Sequence, residues 1–288
     1  MHIVQFYHPG TEFTGVFKRR PDGKYDVPWN TGNHHRRLVE HLGQYADVQG
    51  LHDGELRFWT EWEGETCASQ LQENPDAIHA QYLHRVKYPV APVGMGCATA
   101  GNGCCGQNTD PCVFGRTFKY SNCRQEACQM LRCLSQGSLI VFWSCRDGKF
   151  CLDTVFVIGD TAIQYQERST LYPHCSTEYR NLTVDRLADG NSRTFYRGVE
   201  YRADQPFNGQ IFSFTPARLK GDTDSDSRCC LNIDGIPLNR VSNIGATRNI
   251  KTTIADANFV SDVWHEIVRQ VIANGFVLGV HFDWPRAR

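Results

Sequence analysis

The chain has 288 residues, of which 41% are hydrophobic and 11% aromatic, and this composition is typical of a folded globular protein and argues against a disordered one. Thirty basic and thirty-one acidic residues give a formal net charge of −1, which argues against tight non-specific DNA binding because that needs a basic face. The N-terminus has no charged head before a long apolar run, and no apolar stretch approaches about 18 residues. We therefore expect no signal peptide, no membrane span and a cytoplasmic protein.

Thirteen cysteines are many for such a chain, but their number is odd and no export signal accompanies them. Zinc sites usually present two ligands from one turn as Cys-x2-Cys, and this spacing does not occur in the sequence. Cys123, Cys128 and Cys133 recur every five residues, so on a helix they would point apart. We expect buried free thiols, with no metal and no other cofactor.

Residues 1–89 form a first segment in which predicted strands alternate with polar loops. Its predicted elements are a buried strand over residues 2–7, a short helix over residues 33–45 and a half-exposed strand over residues 56–63. Alternation along the last strand places Glu61 and Glu63 on one face with Trp59. The two carboxylates are then either solvated or directed into a cleft.

Six of the eleven histidines lie in the first 52 residues, close in sequence to several carboxylates. A histidine beside a glutamate can act as a general acid and base, and the same pair can bind a metal. The candidate catalytic residues are His8, Glu12, Glu61 and Glu63. Solvated loop histidines are the alternative, and the spacing leaves both interpretations open.

Residues 90–113 are rich in glycine, proline and asparagine, which predicts a loop. Gly94-Met95-Gly96 and Gly101-Asn102-Gly103 fit neither the dinucleotide-binding nor the phosphate-loop pattern. The segment is predicted to be a linker or a cover over a site.

Residues 114–160 read as one small module. A strand opening at Phe118 carries a polar sequence, a helical run follows over residues 126–133, and two dense apolar strands occupy residues 139–144 and 150–158. Asp147-Gly148 between the apolar strands is a strong hairpin signal.

The polar entry strand of this module offers groups that could bind a nucleobase. If it stays extended, Tyr120, Asn122 and Arg124 share one face, with Ser121 and Cys123 opposite. An aromatic ring, an amide and a guanidinium can stack on a base, hydrogen-bond to it and reach a phosphate. The candidate ligand-binding residues are Tyr120, Ser121, Asn122, Arg124, Trp143 and Asn108. A strand end that caps the neighbouring helix is the alternative. Cys123 could be a nucleophile, but no base lies near it in sequence.

Residues 161–288 mix short strands, such as residues 211–215, with one amphipathic helix. Phe259, Val263, Ile267 and Val271 form an apolar stripe within a helix predicted over residues 256–274, and Gly275 ends it. A final strand follows over residues 276–283. The pattern predicts an α+β fold with a mixed, mainly antiparallel sheet and a C-terminal helix.

The order and character of elements in residues 114–159 resemble the core of PUA-like domains, especially the EVE and ASCH branches. Tyr120-Ser121-Asn122, the turn at Gly137-Ser138 and the strands that follow it carry the resemblance. It implies a β-barrel-type core over residues 114–160. We expect residues 161–288 to pack on this core and the whole chain to form one compact unit. His8-Pro9-Gly10-x-Glu12 and Phe58-Trp59-x-Glu61-Trp62-Glu63 also make the chain similar to an uncharacterised group of bacterial proteins.

PUA-like domains bind RNA or modified bases in an aromatic-lined pocket, so the resemblance implies that Tyr120, Asn122 and Trp143 line one here. The leading hypothesis is a protein that binds a nucleobase, a nucleotide or modified nucleic acid, without membrane association. An enzyme acting on a nucleotide or base through the His8, Glu12, Glu61 and Glu63 group is the alternative, and a scaffold without ligand is the third. The sequence names no protein partner.

Overall fold

The computed structural model describes residues 1–8, 10–12, 17–71, 76, 78–90, 106–236 and 250–287. The strands in these residues are β1 (His2–Tyr7), β2 (Lys18–Arg19), β3 (Tyr25–Val27), β4 (Arg36–Asp47), β5 (Gly50–Glu61), β6 (Thr66–Gln70), β7 (Tyr82–Val86), β8 (Lys119–Tyr120), β9 (Leu139–Arg146), β10 (Lys149–Tyr165), β11 (Arg193–Gly198), β12 (Thr215–Leu219), β13 (Cys229–Leu231), β14 (Ile250–Ile254) and β15 (Val277–Phe282). The helices are α1 (Thr177–Leu182) and α2 (Ala257–Ala273), with short 3₁₀ turns between elements. The sheet-rich α+β class is confirmed.

The strands form two sheets. The first has the order β14-β1-β9-β10-β11-β8, with β13 paired beside part of β10. The second has the order β15-β12-β5-β4-β7-β6-β3-β2, and β15 also pairs with β4. Of the pairings between these strands only β1–β9 and β4–β7 are parallel, so the described sheets are mixed and mainly antiparallel, as expected. A closed barrel around the central hairpin is not part of the described fold.

The predicted hairpin is formed by β9 and β10, which pair antiparallel and are connected by a turn at Asp147 and Gly148. Both turn residues have positive φ, 49° and 73°, as a tight hairpin turn requires. The register shifts between Leu152 and Thr154, so Asp153 is an extra residue in β10. Such a bulge redirects one side chain, and Asp153 is almost fully buried at 2% exposure.

The first sheet is covered on both faces, which explains the dense apolar sequence of β9. Ile140 and Phe142 pack into a core shared with β5 of the second sheet, whereas Val141 and Trp143 pack into a core shared with α2. Successive residues of a strand point to opposite faces, and here each face has its own core.

Helix α2 lies where the apolar stripe predicted it. The Asp256 carboxylate accepts the Phe259 backbone N–H at 2.8 Å and begins the helix, and Gly275 follows its end with a φ of 77°. In the described part of the chain, no helix is both long enough and apolar enough to cross a membrane.

Other local predictions were wrong. The residues predicted as a helix over 33–45 lie mostly in β4, whose first five residues are all buried. The run over residues 126–133 forms turns and a single 3₁₀ turn, Gln129–Arg132. The entry strand ends at Tyr120, and the strand expected over residues 211–215 begins only at Thr215. Most of the predicted glycine-rich loop, residues 91–105, lies outside the described residues.

Candidate functional site

Cys123, His8 and Glu61 form a continuous line of contacts. His8 Nε2 lies 3.2 Å from Cys123 Sγ, and His8 Nδ1 lies 3.2 Å from Glu61 Oε2. A nucleophile beside a base that is oriented by a third group is the general geometry of a catalytic triad. The three residues come from the end of β1, the end of β5 and the segment after β8.

Local structure fixes each member of this line. The His8 backbone N–H donates to Trp143 O at 2.8 Å and so continues the pairing of β1 with β9. Glu61 is the last residue of β5 and also accepts the Asp110 backbone N–H at 2.9 Å. Both side chains are only 1% exposed, whereas Cys123 is half-buried and therefore the member nearest to solvent.

Asp110 holds the backbone around Cys123. Its carboxylate accepts the backbone N–H groups of Ser121, Asn122 and Cys123 at 3.0, 2.8 and 2.6 Å. Burial raises the pKa of Asp110 to about 7, although these three donors favour the charged form. The Tyr120 hydroxyl donates to Cys123 O at 2.7 Å, which fixes the turn from its other side.

The protonation of His8 follows from its neighbours. Burial and the positive charge of Arg36 lower its pKa well below the usual range, so the ring is neutral at physiological pH. The tautomer that donates Nδ1–H to Glu61 offers the Nε2 lone pair to the Cys123 S–H. The Arg36 guanidinium also contacts Nδ1, and because arginine only donates, this contact favours the other tautomer, which carries its proton on Nε2. The Glu61 and Arg36 contacts therefore compete for Nδ1, and only the tautomer set by Glu61 leaves Nε2 free to accept a proton.

Burial raises the pKa of the Cys123 thiol well above its ordinary value, and the charges of Glu61 and Asp110 add to the rise. The resting pair is therefore a neutral thiol and a neutral imidazole. For Sγ to act as a nucleophile, a proton would have to pass from it to His8 during the attack, as in hydroxyl-based triads, because no ion pair is formed beforehand.

A second histidine lies on the other side of Glu61. His34 Nδ1 is 2.8 Å from Glu63 Oε1 and 3.3 Å from Glu61 Oε1. Burial opposes a charge on His34, but the two carboxylates outweigh it and raise its pKa to about 11. Ligand atoms of His34, Glu61 and Glu63 all lie within 4.8 Å of one another, which is close enough to hold a metal ion.

Buried arginines balance the carboxylates behind the triad. Arg36 lies 3.3 Å from Glu61 and 3.2 Å from Asp153, the bulge residue of β10. Arg228 lies 3.5 Å from the other oxygen of Asp153 and stacks on Trp59 at 3.7 Å from the ring centre. Although burial lowers the pKa of Arg228 to about 10, the guanidinium stays charged at neutral pH.

The structure brings three of the four predicted catalytic residues together. His8, Glu61 and Glu63 surround one site, and the two glutamates are buried and not solvated. Glu12 instead accepts the backbone N–H groups of Gln81 and Tyr82 at 2.7 and 3.0 Å, which is a structural role.

The predicted ligand-binding residues do not form one aromatic pocket. Tyr120 is fully buried in the core between the sheets, while Trp143 packs into the core beneath α2 and stacks on Phe150. Residue 124 has a φ of 62°, so the segment turns and Arg124 does not share an extended strand face with Tyr120.

The remaining predicted residues do lie around Cys123. Asn122 Nδ2 donates to Asn108 Oδ1 at 3.3 Å, and both side chains are half-buried. Ser121 is buried beneath them, where its hydroxyl accepts from Tyr179 at 2.9 Å. Arg124 is exposed.

Cys123 was considered as a nucleophile from the sequence but was not among the predicted site residues, because His8 lies 115 residues away. Asp110, Arg36 and His34 were also missed as members of the site. His34, His35 and Arg36 adjoin in the sequence, and this run does not indicate which ring faces the carboxylates.

Two cavities lie elsewhere on the described surface. One is lined by residues of β6, β7 and the C-terminal segment, including Arg85 and Arg286, and the other by residues of the β9–β10 turn and β13. Cys123 lines neither cavity. The candidate site is therefore defined by the contacts among Cys123, His8 and Glu61 and not by a cavity.

Comparison of the chain with protein-family models, curated proteins and solved structures finds no match in any of the three. The resemblance of residues 114–159 to PUA-like domains therefore stays a prediction.

Proposed function

We propose that the protein is a cysteine-dependent enzyme in which Cys123 is the nucleophile, His8 the general acid and base, and Glu61 the group that orients His8. The observation that supports this most is the pair of 3.2 Å contacts from His8, Nε2 to Cys123 Sγ and Nδ1 to Glu61 Oε2. A base in contact with the proton that it removes is the first geometric requirement of such catalysis.

In the proposed reaction, Cys123 Sγ bonds to an electrophilic carbon of the substrate while its proton moves to His8 Nε2. Glu61 stabilises the imidazolium through Nδ1–H, which offsets the repulsion from Arg36. His8 then returns the proton to the leaving nitrogen or oxygen, and the bond from that atom to the carbon breaks. Water, deprotonated by His8, releases the second product and restores the thiol.

The proposed substrate carries a carbonyl or amidine carbon together with an anionic group. Arg124 is exposed beside Cys123, and its positive charge opposes the rise in the Cys123 pKa that burial causes. Asn108 and Asn122 add amide groups at the same rim. Nucleotides combine a phosphate with amide and amidine carbons, so the nucleotide ligand expected from sequence is retained as a proposed substrate class.

The test is turnover of a panel of nucleotides, modified nucleosides and small anionic amides and esters, followed by mass spectrometry. Cys123→Ala is expected to abolish product formation, and His8→Ala to slow it by about 10²–10⁴-fold, the usual contribution of a general base. Cys128→Ala is the matched control, because Cys128 is also half-buried and lies in the same segment.

Full turnover by Cys123→Ala would refute the proposal, and so would equal alkylation rates of Cys123 in the parent and in folded His8→Ala. The alkylation measurement needs no known substrate. It therefore tests the pairing of thiol and base even where the panel lacks the natural substrate.

Metal-dependent hydrolysis is a second candidate, supported by the close approach of His34, Glu61 and Glu63. A proton on His34 already balances part of the charge of the two glutamates, and a metal would have to displace it. Stoichiometric metal in the purified protein, with activity lost on chelation and kept in Cys123→Ala, would favour this candidate. Activity that persists after exhaustive chelation would favour the thiol mechanism.

A further inference from the structure

Two free thiols face each other across β10 and β13. The register places Cys151 opposite Cys230, and their Sγ atoms are 2.8 Å apart. This separation is shorter than a van der Waals contact of two sulfur atoms and longer than a disulfide bond of about 2.05 Å. Paired strands already hold the two residues in position, so little movement of the backbone is needed to join them.

The two sulfurs differ in access and in acidity. Cys151 is buried, whereas Cys230 is half-buried and lines a cavity together with Cys145 and Lys149. The contact between the two sulfurs lowers the pKa of Cys230 and raises that of Cys151. Lys149 and Arg228 lower the pKa of Cys230 further. Cys230 is therefore the sulfur that an incoming disulfide meets first, and it is the better nucleophile.

We infer that Cys151 and Cys230 form a reversible dithiol–disulfide pair that is oxidised by thiol–disulfide exchange with a low-mass disulfide. The Cys230 thiolate attacks one sulfur of that disulfide, and the first thiolate leaves, giving a mixed disulfide. Cys151 then loses its proton and attacks Cys230 Sγ, and the second thiolate leaves. One low-mass disulfide and two protein thiols thus give one protein disulfide and two low-mass thiols.

The cross-link would fix β13 on β10, to which it is paired through three residues. Asp153 lies two residues from Cys151, and Arg228 lies two residues from Cys230. The two form an ion pair, and Asp153 also pairs with Arg36. Oxidation closes a loop between positions 79 residues apart, which restricts the unfolded chain and raises the melting temperature of the protein. The inference does not depend on the proposed enzymatic activity.

The test incubates the native, full-length chain at graded ratios of oxidised to reduced glutathione, followed by acid quenching, alkylation and mass spectrometry. The expected result is the joint loss of two alkylatable thiols, a peptide that links Cys151 to Cys230, and a higher melting temperature than that of the reduced protein. Addition of a reductant should restore both thiols.

Cys230→Ser should lose the cross-link, while Cys145→Ser, which changes a thiol lining the same cavity, should form it as the parent does. A stable glutathione adduct on Cys230 without the linked peptide would overturn the inference. A link from Cys230 to Cys145 in the parent would overturn it as well, and the parent map gives this answer whether or not a variant folds.

Discussion

Arg36 lies between two buried carboxylates, Glu61 and Asp153, and also contacts the His8 ring. Its own side chain is only 2% exposed, so the charges that it meets are little screened by water. The arginine both balances the site and keeps His8 neutral in the resting protein. Its removal should therefore be costly beyond the loss of packing.

Arg36→Leu should lower the free energy of unfolding by about 3–5 kcal/mol, because it leaves buried carboxylates without their partner. Arg85→Leu is the matched control, since Arg85 pairs with Glu40 at 2.8 Å but is 62% exposed, and it should cost at most about 1 kcal/mol. Urea unfolding of both variants measures the difference. If both variants lose the same free energy of unfolding, burial of the arginine charge does not determine the loss.

Asp110→Asn should loosen the segment that carries Cys123, because an amide cannot accept all three backbone N–H groups. We expect a loss of about 1–3 kcal/mol in stability and faster hydrogen exchange at Ser121, Asn122 and Cys123. Asp189→Asn is the control, as its exposed carboxylate accepts one backbone N–H, that of Arg168. Unchanged exchange at the three amides would contradict the role of Asp110.

At this scale the sequence identified residue types but not their partners. His8 and the two glutamates were predicted because the first segment concentrates such groups, and the structure brings these three together. Cys123 could not be linked to His8, since no local pattern relates two loop residues that are 115 positions apart. Trp143 does not share a pocket with Tyr120, because alternation turns neighbouring β9 residues to opposite faces and Phe142 faces Tyr120.

Among the elements, the β9–β10 hairpin is the one most fully determined by local sequence. Gly148 has a φ of 73°, and a Cβ added there would meet no atom within 4 Å. Gly148→Ala should therefore cost about 1 kcal/mol through backbone strain alone. Gly209→Ala is the control, since its Cβ would meet only Pro206 at 3.8 Å without a positive φ, and thermal unfolding compares the two. An equal effect in both would refute the strain argument.

The loop after β1 is attached to the start of β7 through Glu12. Burial raises the pKa of Glu12 to about 7 from an ordinary value of 4.5, although the N–H groups of Gln81 and Tyr82 oppose the rise. The folded state thus binds the proton more tightly than the unfolded state. Stability from this group is complete below pH 4.5 and is lost as the pH rises towards about 7.

Glu12→Gln should remove this dependence. Between pH 5 and pH 7 the free energy of unfolding of the parent should fall more steeply than that of the variant, by up to about 1.4 kcal/mol per pH unit. Glu65→Gln, at an exposed carboxylate, should keep the slope of the parent. Parallel slopes for the parent and Glu12→Gln, measured by urea unfolding, would refute this assignment.

The elements that sequence predicted well have a regular period or a turn signal, as β1, the hairpin, α2 and β15 do. The sequence of β4 did not indicate a strand, since its first five residues are all buried and polar and apolar side chains therefore do not alternate along them. Burial on both faces arises from tertiary packing and buried ion pairs, which a local pattern does not contain.

In the whole molecule, the two sheets share one core while the first sheet meets α2 on its other face. The site lies where segments from different parts of the chain meet: the end of β1, the facing ends of β4 and β5, the segment after β8 and the bulge of β10. Each segment is short, and its own sequence does not mark it as part of a site. The fold alone brings these segments together.

The position of β1 between β9 and β14 has a consequence for how the protein folds. Its partners begin more than 130 residues later in the chain, and its pairing with β9 is parallel, so it joins the sheet through long-range contacts that form slowly. The β9–β10 hairpin needs only local contacts and should form early. Because His8 follows β1 directly, the base reaches Cys123 only once this late pairing is complete.

Refolding from urea should therefore regain most of its far-ultraviolet circular dichroism before Cys123 reaches the pulsed-alkylation rate of the native protein, which its contact with His8 sets. Cys133, which is exposed in the folded protein, should react at all times and serves as the internal control. A native alkylation rate of Cys123 in the same kinetic phase as the dichroism would contradict this order. If the order holds, chains that fold only in part contain Cys123 as an ordinary thiol that has no contact with His8.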